Sequence, residues 1–141
     1  MLYVEYNQLR NKYILVQIQY DAILSEQEAL FLRTQPQAVN FEKERVKGGN
    51  SISAFDEYLI AKEKKRIDER LTEIKNILDD RRELLELKEK ELRASKDWDD
   101  IIFTLYYLDN LSLTKIANRI PYSRVQIWRK LNIIKGNLKA V

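Results

Sequence analysis

The side chains between Ser112 and Lys135 are the ones whose types and spacing suit a chemical task, and that task is recognition of a polyanion. Residues 111–131 read LSLTKIANRIPYSRVQIWRKL, and from residue 110 onward there are seven basic side chains and no acidic one. A local excess of that kind suits duplex DNA. Arginine bonds guanine bidentately, glutamine bonds adenine, and valine touches a thymine methyl. Arg124, Val125, Gln126 and Arg129 are therefore the expected base-reading set, with Gln126 and Arg129 foremost. Lys115, Arg119, Lys130 and Lys135 suit phosphate contacts, which position a protein on the duplex without reading its sequence. Ser112, Thr114 and Ser123 can add bonds to phosphates near helix N-termini.

Other chemistries are poorly supplied. The chain of 141 residues contains neither cysteine nor histidine. Disulfides, cysteine–histidine zinc sites, Ser-His-Asp triads and Cys-His dyads are thereby excluded. The acidic pairs Asp79-Asp80 and Asp99-Asp100 are neighbours in sequence, and adjacent residues on a helix point about 100° apart. Neither pair converges on one point, so no catalysis, cofactor or metal is expected. No run approaches the roughly 18 apolar residues of a membrane span. The N-terminus, MLYVEYNQLRNKY, lacks the basic-then-apolar order of a signal peptide. A cytoplasmic protein that does not enter a membrane is expected.

The elements that must hold the basic residues are helices. Three glycines and two prolines are too few to punctuate many short strands, so the expected class is all-α. Ser112 can cap a short helix from Leu113 to about Ile120, with Leu113, Ile116, Ala117 and Ile120 on one face. Pro121 stops it and Tyr122 closes a short turn. Ser123 then caps a second helix whose inner face is Ile127, Leu131 and Ile134, with Trp128 packed beside them and Gly136 at its end. Two short helices, a tight turn, a small residue within the first and a capping serine define a helix-turn-helix. Upstream, Ser95 is expected to cap a helix with Asp97, Asp99 and Asp100 in its first turns, where the helix dipole favours acids. Its apolar stripe is Trp98, Ile101, Ile102, Leu105, Tyr106 and Leu108, and Asp109-Asn110 ends it.

Two long helices precede this module. Leu2, Tyr6, Leu9, Tyr13, Val16, Tyr20, Ile23, Gln27 and Leu30 follow heptad spacing, broken in character only by Gln27. A second seam runs Ile60, Lys64, Ile67, Leu71, Ile74, Leu78, Arg81, Leu85, Lys88, Leu92. The charged runs beside it read as solvated faces carrying i,i+4 pairs. Between the two helices, Pro36, Gly48-Gly49 and Asn50-Ser51 mark a loop, and Ser53 with Asp56 resembles a capping box. The expected organisation is an N-terminal helix over 1–33, a loop over 34–53, a long charged helix for oligomerisation over 54–95 and the helix-turn-helix module over 96–141. The long helices suit an antiparallel hairpin, self-association as a homodimer, or both.

The run Leu105 to Leu131 resembles the C-terminal promoter-reading region of bacterial sigma factors. The shared pattern is an apolar-tyrosine helix end, a serine-initiated helix holding Ile116-Ala117, then Ser123 followed by Ile127 and Arg129. A long charged helix followed by such a module is similar to small phage and prophage regulators of the ArpU and RinA type. The stretch from Thr34-Gln35-Pro36 to Gly48-Gly49-Asn50 also looks like those proteins. Pro121 stands where the glycine of the inter-helix turn is usual, and the tyrosine-rich first helix has no clear counterpart. The resemblance implies a sequence-specific activator of late genes in a bacterial host, and by analogy contact with RNA polymerase. Two other functions share the layout: a small terminase subunit for DNA packaging, and a helical adaptor or anti-repressor that binds a partner protein.

Overall fold

The computed structural model describes residues 1–34 and 54–140. The loop expected over 34–53 and the Ser53 cap fall outside the described residues, except that Thr34 closes the first helix. The long helices are α1, Leu2–Thr34, and α2, Ala54–Ala94. They are followed by α3, Trp98–Phe103, which passes into a π-helical turn, Thr104–Leu108. Then come α4, Leu113–Ala117, and α5, Arg124–Lys139. No strand occurs among the described residues, so the chain is all-α, and α1 and α2 pair as a helical hairpin. The chain divides into two compact units, Val16–Leu78 and Met1–Leu15 with Asp79–Val141.

In the unit Val16–Leu78, the two heptad seams meet each other. Ile23, Leu30 and Ile67 are buried, with Ile60, Leu71 and Ile74 packed against them. Each fully buried isoleucine or leucine removes apolar area worth about 1.5–3 kcal/mol. Gln27, the polar interruption in the first seam, donates from Nε2 to Asp68 Oδ1 at 3.1 Å, so its amide is satisfied across the pair. Glu26 and Arg70 bridge the same two arms at 3.4 Å. Lys64 is the seam position left exposed.

The other unit is built differently. Its core joins Tyr3 and Tyr6 of α1, Leu92 of α2, Ile102 and Phe103 of α3, Ile116 of α4, Ile120, and Ile127, Leu131 and Ile134 of α5. Tyr3 stacks on Phe103 with ring centroids 5.6 Å apart, Tyr6 meets Phe103 edge-on at 6.1 Å, and Phe103 stacks on Tyr107 at 4.9 Å. Phe103 lies outside the stripe expected for α3. It is buried because that helix is covered on two sides, by α5 and by the first turns of α1.

Polar groups follow the same logic. Asp100 is 3% exposed. It accepts the Tyr3 backbone N–H at 3.2 Å on Oδ1 and the Ser95 hydroxyl at 2.7 Å on Oδ2, so an acid of α3 satisfies an orphan donor at the start of α1. Ser95 is thus not the cap expected of it. Asp97 takes that place, its side chain accepting the Asp99 N–H. The π-helical turn closes with Asp109 N–H on the Thr104 carbonyl and Leu111 N–H on the Leu105 carbonyl. Asn110, at φ 54°, ends the run in the left-handed region that asparagine tolerates.

Candidate nucleic-acid interface

The candidate site is the α4–turn–α5 segment, and its geometry starts at two serines. Ser112 accepts the Lys115 N–H at 3.3 Å and so caps α4. Ser123 accepts the Gln126 N–H at 3.3 Å, while Gln126 Oε1 accepts the Ser123 N–H at 2.9 Å. That reciprocal capping box starts α5 sharply after Pro121 and Tyr122. α4 is shorter than expected. Past Ala117 the backbone tightens, with Arg119 N–H on the Ile116 carbonyl at 2.9 Å, yet Ile120 still reaches the core.

α5 presents one apolar and one polar face. Ile127, Leu131 and Ile134 are 0–3% exposed and lock it onto α3 and α4. At 100° per residue the opposite face carries Val125, Arg129 and Asn132, flanked by Arg124 and Trp128 on one side and Gln126 and Ile133 on the other. All seven are exposed. Gly136 does not end α5; the helix runs on to Lys139, because glycine keeps both backbone hydrogen-bonding groups and its carbonyl accepts the Ala140 N–H at 3.1 Å. The far end of α5 is braced by Asn137, whose Nδ2 donates to the Tyr3 hydroxyl at 2.7 Å.

The expected base-reading residues Arg124, Val125, Gln126 and Arg129 thus lie together on the open side of α5. Gln126 has a second task, since its carbonyl oxygen is engaged in the capping box. Among the expected phosphate-binding residues, Ser112, Thr114, Lys115, Arg119 and Ser123 are exposed along α4 and the turn. Lys130 is engaged within the fold: its Nζ lies 3.5 Å from Asp99 and 5.2 Å from the Tyr122 ring centre. Lys135 sits over the Tyr106 ring at 5.6 Å. Among the described residues no ion pair engages Lys115, Arg119, Arg124 or Arg129.

Two side chains depart from the sequence reading. Trp128, expected to pack, is 54% exposed, because Ile127 takes the inward position and its neighbour turns about 100° away. Asn132 lies on the open face although it is outside the expected base-reading set. Its spacing of three from Arg129 and seven from Val125 is the signal that places it on the same face.

No protein-family model, curated protein or solved structure matches this chain. What the residues of the site offer is non-covalent: two unpaired guanidinium groups, a valine, an asparagine and an indole on the open side of α5, with Lys115 on the preceding helix and Arg119 in the turn. Among the described residues no three or more potential metal ligands gather, and no helix is long and apolar enough to cross a membrane.

Proposed function

We propose that the chain is a sequence-specific, non-enzymatic DNA-binding regulator of transcription, of the phage or prophage late-gene kind that its C-terminal run resembles. The observation that carries this reading is the open face of α5. Arg124 and Arg129 stand there unpaired beside Val125 on a helix whose other face is locked by Ile127, Leu131 and Ile134. A rigid helix offering arginines at its N-terminal turns suits the major groove. Lys115 and Arg119 on the preceding segment supply phosphate contacts. The protein acts in the cytoplasm of a bacterial host, and contact with RNA polymerase belongs to this reading by analogy.

Selection of bound fragments from a random duplex pool tests it. The purified chain should return a defined site, bind it in a gel-shift or polarisation assay, and lose affinity with a log–log salt slope of about −0.9 per phosphate contacted. No retained DNA at low salt would sink the proposal.

The protein is further proposed to bind as a homodimer. The two expected seams are occupied within the hairpin, and a second copy has another face to use. Ile18, Ala22, Ala29 and Leu32 form an exposed apolar stripe at heptad spacing on α1. Light scattering should give twice the monomer mass, and Ile18→Lys should halve it. A ring of many subunits would favour DNA packaging instead.

A further inference from the structure

Trp128 is an exposed indole that neither the core nor the arginines account for. The chain holds two tryptophans. Trp98 is packed edge-on against Tyr122, with centroids 5.5 Å apart. Trp128 is 54% exposed and Val125, three residues earlier on the same side of α5, is 56% exposed. Residues three and four apart are neighbours on a helix surface, so indole and isopropyl form one apolar ledge. Arg124 flanks this ledge at one end and Asn132 at the other, while Arg129 runs beside it. Leaving an indole in water forfeits the large apolar area that a tryptophan can bury.

The surroundings select the occupant. An apolar protein surface would gain nothing from the exposed arginines at the edge of the ledge, whereas duplex DNA answers both features. Its phosphates match a segment with seven basic and no acidic side chains, and the only apolar group on its major-groove edges is the thymine 5-methyl. We propose that Trp128, with Val125, forms a thymine-methyl pocket in the major groove, making it a specificity-determining residue for a site with thymines beside the bases read by the arginines. This rests on the DNA-binding reading above.

The test uses the full chain carrying Trp98→Phe, so that Trp128 is the sole indole, and the duplex returned by selection from a random pool. Binding should shift Trp128 emission. Replacing thymines with deoxyuridine, which lacks only the methyl, should cost about fourfold in affinity per contacted methyl. Trp128→Ala should lose roughly tenfold on the selected duplex. It should also become indifferent to deoxyuridine while keeping the parent's affinity and salt slope on a shuffled duplex. A melting temperature matching the parent's would show that the variant folds, and Trp128→Phe should recover part of the loss. The proposal is overturned if the parent binds the selected duplex but neither deoxyuridine nor Trp128→Ala changes affinity; DNA binding itself then stands. It is equally overturned if Trp128 emission follows protein concentration rather than DNA, which would mark a contact between copies. A parent that binds no duplex at low salt removes both readings together.

Discussion

Arg129 and Lys115 are both exposed cations, yet their removal should have different consequences. Arg129 stands at the centre of the open face of α5 and Lys115 lies on α4; on the proposed function the guanidinium reads base edges and the amine meets only DNA phosphates. Arg129→Ala should cost about 1–3 kcal/mol on the specific site and relax selectivity at one base position. Lys115→Ala should weaken all duplexes alike and flatten the salt slope by about one. Polarisation titrations over a salt series separate the two, and equal losses from both variants on specific and shuffled duplexes would contradict the assigned roles. At this scale residue types were legible and residue engagement was not. Nothing in the sequence around Lys130 shows that Asp99, thirty-one positions earlier, will approach it. The capping box at Ser123 and Gln126 was half visible: the serine cap follows from local spacing, while the return bond from the glutamine depends on its rotamer.

Helix ends are legible in the sequence where a side chain caps locally, and not where a neighbouring element decides. Ser112 and Ser123 cap α4 and α5 through bonds to residues three positions on. Ser95 does not, because its hydroxyl is drawn to the buried Asp100. Gly136 looked like a terminator, yet it sits inside α5 with no atom within 4 Å of where a Cβ would stand. Gly136→Ala should therefore stabilise the protein by about 0.4–1 kcal/mol, chiefly by restricting the unfolded chain. Urea titration checks this, and a lower midpoint would mean that the position needs a glycine after all. The heptad seams were the most legible elements, because a period of 3.5 is set by local geometry and their apolar side is covered by the opposite arm in each unit.

On the scale of the whole molecule, the helix-turn-helix does not enclose its core alone. Tyr3 is 1% exposed and Tyr6 5%, both packed on Phe103. Tyr3→Ala should cost about 3 kcal/mol in the full chain, since it removes a buried ring and the partner of Asn137. The loss should appear as reduced hydrogen-exchange protection in α5 as well as α1; loss confined to α1 would show that the module stands by itself. The same core should lose stability in alkali. Burial raises the Tyr6 phenol above its ordinary value, with Glu89 adding to the effect, and burial followed by Tyr106 raises Tyr107. A raised folded value favours the protonated state. This contribution is therefore complete below the unfolded tyrosine value of about 10 and is lost as pH rises through the folded value. Thermal melts from pH 9 to 11 should show falling stability, with Tyr6→Phe falling less steeply.

The sequence by itself determined the all-α class, the two long helices with heptad seams and the serine-capped pair of helices that carries the basic side chains. Each of these is written in spacings of three, four or seven residues, which local backbone geometry converts directly into a shared face. Only the tertiary structure decided that the N-terminal tyrosines complete the C-terminal core and that Phe103 is buried. The same holds for the engagement of Lys130 by Asp99. Those outcomes depend on which surfaces meet across 31 residues of chain for Lys130 and 97 for the bond from Tyr3 to Asp100, and no periodicity encodes that meeting.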